Sequence, residues 1–371
     1  MIKNFLISSI IFFILLIFVD KIIFLLGGNK YNIYNLQSSS DRNIILREIK
    51  PNLEVEVRPG NTYLRTTQGL QNKKYKLKTD NDGFIVNSNN LIRDKKVNAD
   101  IIFFGGSTTE LMFVEEKNRF PYLTGDFLTK KIGRQIIVKN SGVSGNNSMH
   151  NNFLLIAKGL KYKPKVAFLF NNINDLKIYI RNYNYWNMNS GAGTIIIDKN
   201  KTKISQKVVY FIKKNIFPNF ANLYSLFISN YFNQKVLNKN DNKFNINKAL
   251  SDFENSVETF IYICKALDIE PVLITQPSRL DPKDEFITQI FKSHKFSNIT
   301  FDEYSKYHDL FNKKIVEIAN INNIGYIDLD KYIPSDEKHM YDHVHFTDYA
   351  SVKSAKIISD YINKNLIELF K

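Results

Sequence analysis

The sequence predicts an α/β fold in which helices cover a parallel sheet on both faces. Short runs that are apolar throughout, typical of strands buried on both faces, alternate with longer stretches of helical periodicity. The predicted strands are Ile101–Phe104, Gln135–Val138, Lys165–Phe170, Pro271–Thr275 and Ile324–Leu329. The predicted helices are Arg119–Lys131, Met149–Leu160, Ala249–Leu267, Tyr304–Asn320 and Asp348–Leu369. Strands that alternate with helices in this way are joined by crossovers, which produce a parallel sheet.

The composition excludes several classes of protein. Hydrophobic residues make up 44% of the 371 residues, with 29 Phe and 20 Tyr, which excludes a disordered chain. The single cysteine, Cys264, excludes an intramolecular disulfide and a Cys-rich zinc site. The net charge is +15, but the basic clusters Lys73–Lys78 and Lys199–Lys207 accompany no nucleic-acid motif. We therefore expect no nucleic-acid partner; a solvated basic surface and attraction to anionic lipid or acidic glycan both stay open.

The amino terminus carries one long apolar stretch. Residues Phe5–Val19 are followed by the charged pair Asp20–Lys21 and then by Ile22–Leu26. A helix over this stretch would be about 34 Å long, enough for a hydrocarbon core of about 30 Å. Lys3 favours a cytoplasmic amino end. We expect residues 1–28 to anchor the protein in the cytoplasmic membrane, with the remainder on the periplasmic or extracellular side; a cleaved signal peptide and a buried helix are the alternatives.

The rest of the chain divides by texture. Residues 29–98 are polar and irregular with short alternating stretches such as Leu53–Val57, which predicts a stalk and a small β-rich lead-in. Residues 99–371 form the predicted α/β domain. Within it, residues 178–248 are too long for one crossover and are predicted to be an insertion. The insertion is interpreted as a lid, a substrate platform or a membrane-facing surface, or as a decoration without a role in binding.

Four short polar motifs occupy the places where an open α/β sheet carries its active site. Three of them follow predicted strands and the fourth precedes the last helix: Phe103–Thr109, Asn140–Asn146, Asn171–Asp175 and Tyr341–Thr347. In the first motif, Ser107 follows a buried strand and two glycines. This arrangement exposes its hydroxyl at a sharp turn and aims nearby backbone N–H groups at a developing oxyanion.

The other three motifs hold the partners that a serine nucleophile needs. Gly145 can bring its backbone N–H close to an acyl group, and Asn174 can offer a side-chain N–H to the same oxyanion. Asp342 and His345 are three residues apart and can face the same side of a turn. The carboxylate can then accept from one imidazole nitrogen while the other nitrogen takes the proton of Ser107.

Two alternatives concern the histidines. His339 and His343 are four residues apart and, with Asp342, could form a metal site, although no third distant ligand set accompanies them. His343 could also replace His345 as the base. We expect neither a metal nor an organic cofactor.

The order and spacing of the four motifs resemble the SGNH hydrolase superfamily, the GDSL-type serine esterases and acyltransferases. The resemblance covers roughly Asp100–Leu369 and implies a three-layer α/β/α flavodoxin-like fold. The family's catalytic and oxyanion-hole residues correspond, in chain order, to Ser107, Gly145, Asn174, Asp342 and His345.

The sequence departs from the family pattern at two positions. Gly106 precedes Ser107 where the family has Asp, and Asn172 stands where the family has Gly, which predicts a narrower cleft. Glu110 and Arg119 follow the nucleophile closely; a solvated surface position is favoured for them over substrate binding.

The resemblance implies a serine esterase that removes O-acyl groups, with acetyl as the expected group, from a glycan or a related metabolite. An O-acyltransferase that uses the same Ser107, His345 and Asp342 on a cell-surface polysaccharide is the alternative. A third possibility is a glycan-binding protein that retains the fold without catalysis. The expected partners are an acylated carbohydrate or small ester and, through residues 1–28, the membrane.

Overall fold

The computed structural model describes residues 11, 15, 42–44, 46–87, 98–186, 195–198, 244–293 and 299–371. Contacts along the chain divide it into two units, one of residues 44–197 with 222–371 and one of residues 1–43 with 198–221. All the predicted site residues belong to the first unit. The predicted anchor at 1–28, apart from Ile11 and Leu15, and most of the predicted insertion at 178–248 lie outside the described residues.

No helix that the structure describes combines the length and the apolar character needed to cross a membrane. The anchor and the location at the membrane stay predictions.

Eight strands of the described chain form one sheet, and two short strands lie outside it. In chain order the described strands are β1 (Arg42–Ile44), β2 (Glu54–Val57), β3 (Tyr75–Thr79), β4 (Ile85–Val86), β5 (Ile101–Gly105), β6 (Val138–Asn140), β7 (Val166–Phe170), β8 (Ile196–Asp198), β9 (Glu270–Ile274) and β10 (Gly325–Ile327). The order across the large sheet is β10-β9-β7-β5-β6-β4-β3-β2.

Five neighbouring strands of this sheet, β10, β9, β7, β5 and β6, run parallel. Numbered among themselves in chain order, they have the flavodoxin-like order 2-1-3-4-5. In this topology the strand order reverses between the first and third strands, here β5 and β7, and a crevice opens beyond their carboxyl ends. Ser107 follows β5 and Asn174 follows β7, so the topology alone places both residues at the crevice.

Helices cover both faces of the parallel strands. The described α-helices are α1 (Asn61–Leu64), α2 (Ser107–Glu110), α3 (Phe120–Ile132), α4 (Ser148–Leu154), α5 (Ile173–Asn182), α6 (Ile246–Lys265), α7 (Glu285–Ser293), α8 (Phe301–Ile321), α9 (Leu329–Tyr332) and α10 (Asp348–Asn365). Short 3-10 turns lie at Glu116–Asn118, Leu160–Tyr162 and Ile367–Phe370, and a π turn at Leu155–Gly159 continues α4.

Strand β5 shows why the predicted strands are apolar throughout. Ile101 and Phe103 belong to the core beneath α3 and α10, whereas Ile102 and Phe104 belong to the core beneath α6 and α8. All four side chains are fully buried. Successive side chains of a strand point to opposite faces, so a strand between two helical layers needs an apolar residue at every position.

The sheet differs from the predicted one because it is mixed rather than purely parallel. Strands β2, β3 and β4 are antiparallel, and the pairing of Ile85 with Asn140 attaches them to β6. The lead-in therefore continues the central sheet instead of forming a separate small element. Alternation within Tyr75–Thr79, whose first, third and fifth side chains are buried, marks a strand covered on one face.

The second predicted strand, Gln135–Val138, is shifted to Val138–Asn140. The backbone N–H of Ile136 donates to the Thr129 hydroxyl, and that of Ile137 donates to the Asp100 carboxylate. Because side chains bind these backbone groups, the regular ladder begins only afterwards.

Candidate active site

Ser107 is the first residue of α2, directly after β5, and its side chain is partly exposed. The two preceding glycines are required by space. A Cβ at Gly105 would lie 2.8 Å from the carbonyl oxygen of Phe170, and one at Gly106 would lie 2.3 Å from the amide nitrogen of Asn174. The absence of these side chains lets the neighbouring strand end approach the serine closely.

The structure brings Ser107, His345 and Asp342 together although they are far apart in sequence. Nε2 of His345 lies 2.7 Å from Oγ of Ser107. Nδ1 of the same ring lies 2.6 Å from Oδ2 of Asp342. These two hydrogen bonds form a continuous chain from hydroxyl to imidazole to carboxylate, the arrangement in which a histidine removes the proton of a serine.

Asp342 is buried, and several donors hold its carboxylate. Its Oδ1 accepts from the backbone N–H groups of Val344, at 2.9 Å, and His345, at 2.8 Å. Burial alone would raise the pKa of this carboxyl, but the charge and hydrogen bond of His345 outweigh burial and hold the pKa well below its ordinary value. Asp342 is therefore ionised at neutral pH and fixes the orientation of the imidazole.

A tyrosine from the lead-in completes this arrangement. The hydroxyl of Tyr63 donates to Oδ2 of Asp342 at 3.0 Å and lies 3.4 Å from Nδ1 of His345. Burial and the negative charge of Asp342 raise the pKa of Tyr63 far above its ordinary value, so the hydroxyl stays protonated. Sequence reasoning missed this residue, because a tyrosine in a polar, irregular segment carries no catalytic pattern.

The ring of Tyr341 packs against the catalytic imidazole. The rings of Tyr341 and His345 are stacked with centroids 5.6 Å apart and an angle of 10° between their planes. The backbone N–H of Tyr341 donates to the carbonyl oxygen of His345, and an isolated bridge pairs Met340 with Phe346. This narrow loop limits the rotation of the imidazole about its contact with Ser107.

Asn174 lies beside the nucleophile at the end of β7. Its side-chain nitrogen donates to the carbonyl oxygen of Asn146 at 2.9 Å and borders Gly106. A primary amide has two N–H donors, so one can hold Asn146 while the other points to a bound acyl oxygen. Asn174 is thus placed where an oxyanion donor is needed, next to the backbone N–H of Ser107.

Gly145 precedes Asn146 in the loop that follows β6. The loop is held against α2, since the side chain of Asn140 donates to the carbonyl oxygen of Thr109 and accepts from the N–H of Gly142. Gly145 has a φ of +81°, a conformation that favours glycine. The guanidinium of Arg47 donates to the carbonyl oxygens of Ser144 and Gly145, at 2.8 and 3.4 Å, and fixes the loop from the lead-in side.

Two expectations from the sequence are wrong at the level of side chains. Asn172 does not narrow the cleft, because its fully buried amide donates to the backbone of His308 and to the side chain of Asn312 on α8. Glu110 and Arg119 are buried rather than solvated.

Glu110 and Arg119 hold the surroundings of the nucleophile. Glu110 accepts from the hydroxyl of Ser144, and burial raises the pKa of its carboxyl. Arg119 donates to the carbonyl oxygens of Leu111 and Lys76 at 3.2 and 2.6 Å. Each therefore connects the segment after Ser107 to another part of the fold, the oxyanion loop or strand β3.

The structure separates the histidines that the sequence left open. Nε2 of His343 lies 3.1 Å from Nζ of Lys177, whereas the imidazole beside Ser107 is that of His345. His339 contacts Asp336 at 2.6 Å. Within the described ranges, no group of three or more His, Cys, Asp or Glu side chains is arranged to hold a metal ion.

Lys177 lies at the edge of the site on α5. Burial lowers the pKa of its ammonium to about 8, partly opposed by the charge of Asp342. The group therefore still carries its proton at neutral pH, and a positive charge lies beside the catalytic loop.

Comparison with family models gives no match, and comparison with curated proteins gives none either. Among solved structures, the chain is similar to a lipase/acylhydrolase from Enterococcus faecalis, with 16% identity, a TM-score of 0.41, and coverage of 72% of this chain and 96% of that one. It is similar to the acetyl xylan esterase AlAXEase, with 16% identity, a TM-score of 0.40, and coverage of 71% and 98%. It is also similar to a GDSL-like lipase from Bacteroides thetaiotaomicron, with 15% identity, a TM-score of 0.38, and coverage of 72% and 88%. GDSL-like proteins are the group that the four sequence motifs resemble.

Proposed function

We propose that the protein is a serine ester hydrolase that uses Ser107, His345 and Asp342. The observation that carries the proposal is the pair of hydrogen bonds, of 2.7 and 2.6 Å, that link hydroxyl, imidazole and carboxylate. A buried, ionised carboxylate on one imidazole nitrogen and a partly exposed serine hydroxyl on the other give the histidine a base's position and the serine a nucleophile's.

In the first half of the reaction, Oγ of Ser107 attacks the ester carbonyl carbon while Nε2 of His345 takes the hydroxyl proton. The carbonyl oxygen becomes an oxyanion, for which the backbone N–H groups of Ser107 and Gly145 and the amide of Asn174 are the proposed donors. The bond between the acyl carbon and the leaving oxygen then breaks, and His345 gives its proton to that oxygen. The acyl group stays on Ser107.

In the second half, His345 takes a proton from water, and the resulting hydroxide attacks the acyl carbon. The bond to Oγ of Ser107 breaks, the proton returns to Oγ, and the free acid leaves. Asp342 stays ionised throughout and stabilises the imidazolium that forms in each half. The chemistry needs no group beyond these side chains and water.

The proposed substrate is an O-acyl ester, with acetyl as the expected group, of a glycan or a related metabolite. The support is the sequence resemblance of the four motifs. We also propose, on residues 1–28 alone, that the protein is anchored on the outer side of the cytoplasmic membrane; fractionation of cells that express the chain with and without these residues tests this proposal.

Hydrolysis of 4-nitrophenyl acetate tests the reaction. The Ser107→Ala variant is expected to lose turnover by several orders of magnitude, whereas the control Ser251→Ala removes an exposed hydroxyl of α6 and keeps full activity. A fluorophosphonate should label Ser107 in the native protein, as intact mass and peptide mapping would show. Turnover that survives in Ser107→Ala, or labelling at another serine, would overturn the proposal. Addition of a glycan acceptor separates release of the acyl group from its transfer.

A further inference from the structure

A cavity of about 180 Å³ borders the catalytic imidazole. His345 and Asp342 line it on one side, and Tyr63 lines it from the lead-in. Its size is similar to that of a cavity of roughly 150 Å³ that holds benzene, so it has room for one six-membered ring or a substituent of that size. Ser107, Gly145 and Asn174 are not among its lining residues.

The lining identifies which part of an ester would enter the cavity. During acylation the leaving oxygen must come within hydrogen-bond reach of His345, since this residue returns the proton to it. The acyl oxygen must instead lie against the oxyanion donors, which belong to other loops. The group attached to the leaving oxygen therefore lies on the side of the imidazole that faces the cavity.

One wall of the cavity is apolar. It is formed by side chains of α7, of the segment before it and of the start of α8: Leu280, Ile287, Ile290, Phe291 and Phe301. Leu280 and Ile287 are almost completely buried. Such a wall gains free energy by covering an apolar ring face or a short chain.

The opposite wall carries positive charge. Lys177 and Arg181 are one helical turn apart on α5, and both line the cavity. The lining holds one carboxylate, that of Asp342, whose oxygens accept hydrogen bonds from Tyr63, His345 and backbone N–H groups. Two cations against one anion leave the lining positive, which favours a ligand with negative charge.

We propose that this cavity binds the alcohol portion of the ester and that this portion combines an apolar ring or chain with an anionic group, a carboxylate or a phosphate. The proposal rests on the proposed function and specifies its substrate class. Lys177 and Arg181 hold the anion, and the wall of α7 covers the apolar part. Charge-assisted hydrogen bonds of this kind are about twice as strong as neutral ones, so they distinguish anionic from neutral alcohols.

Paired substrates that share an acetyl group test the proposal. They are phenyl acetate, 4-acetoxybenzoate, 4-acetoxyphenyl phosphate and 4-(trimethylammonio)phenyl acetate, which are neutral, anionic, anionic and cationic. We expect Arg181→Gln to lower the ratio of kcat/KM for the anionic esters to that for phenyl acetate by about tenfold. Lys177→Met should act in the same direction, and Lys177→Arg should retain the ratio. The two anionic esters distinguish a carboxylate from a phosphate.

The matched control is Lys130→Met, which removes the same charge from an exposed position on α3. It should leave the ratio unchanged. A ratio that falls equally in Lys130→Met, or that rises for the cationic ester alone in native protein, would overturn the proposal.

Binding to the inactive Ser107→Ala protein separates this proposal from the proposed function. Calorimetry is expected to show 4-hydroxybenzoate binding at least tenfold more tightly than 4-hydroxybenzyl alcohol, with the difference lost in the Ser107→Ala, Arg181→Gln double variant. Equal affinity for the two alcohols contradicts the anionic cavity, whatever the esterase assay gives. Selective binding without turnover in the native protein would support the cavity and contradict the hydrolase.

Discussion

The hydroxyl of Tyr63 donates a 3.0 Å hydrogen bond to the carboxylate of Asp342 across a separation of 279 residues. The same hydroxyl lies 3.4 Å from the imidazole nitrogen that contacts this carboxylate. The lead-in thus adds a donor to the group that orients the catalytic histidine, in addition to the backbone donors of the loop itself.

Tyr63→Phe is therefore expected to lower kcat/KM for an activated acetate about tenfold, because a hydrogen bond to a charged group is lost. The acid limb of the pH profile should move to higher pH, since the less solvated carboxylate holds the imidazolium more strongly. Tyr332→Phe, which removes an exposed hydroxyl, is the control. A profile and rate that match the native protein would show that Tyr63 only fills space.

Asn174→Ala should reduce kcat by about 10²–10³-fold with a smaller effect on KM, because an oxyanion donor acts mainly in the transition state. Steady-state kinetics with 4-nitrophenyl acetate measures both constants. Asn365→Ala, which removes an exposed amide near the end of α10, should leave them unchanged. If Asn174→Ala raises KM and retains kcat, the amide binds ground-state substrate instead.

Gly145→Ala and Gly133→Ala form a matched pair. Their φ values are +81° and +80°, so each alanine should cost about 1 kcal/mol of the free energy of unfolding. A Cβ at Gly133 meets open space, whereas one at Gly145 lies 3.1 Å from the guanidinium of Arg47. Only Gly145→Ala should lower kcat, by about ten- to a hundredfold, since it displaces the oxyanion loop. Equal kinetic losses in the two variants would contradict a role for this loop in catalysis.

Asp175, next to Asn174, should make stability depend on pH. Its fully buried carboxyl accepts from Ser148 and Tyr185, and burial raises its pKa to about 6 from an ordinary value of 3.8. The folded state then holds the proton more tightly than the unfolded state. Its contribution to the free energy of unfolding should fall by about 3 kcal/mol as pH rises from about 4 to 6.

Asp175→Asn removes this titration, although the amide satisfies fewer of the surrounding donors and lowers stability at every pH. Urea unfolding at pH 4.5 and 7 should show that the advantage of the native protein over the variant shrinks at the higher pH. An advantage that is constant, or that grows with pH, would contradict a raised pKa.

The sequence indicates the parallel part of the fold and the catalytic side chains because both depend on local patterns. Strand β5 is apolar at each position between two cores, and the glycines before Ser107 mark a turn where a neighbouring strand end approaches. The carboxyl ends of parallel strands share one edge, so residues that follow β5 and β7 could be assigned to one crevice before any coordinates.

The remainder depends on partners that are distant in sequence. Glu110 and Arg119 look like surface charges, yet each has buried partners elsewhere in the chain. Asn172 resembles an obstacle in the cleft, yet its amide is anchored on α8. Tyr63 gives no signal at all, because its contact with Asp342 exists only once the lead-in strands pair with the sheet.

The attachment of β4 to β6 also bears on how the protein can be produced. A chain shortened to begin at Ala99 would turn β6 into an edge strand, whose open backbone groups invite pairing with a second molecule. It would also lack Tyr63. Poor solubility and weak turnover would then appear together in such a fragment, and both would have a single origin in the missing hairpin.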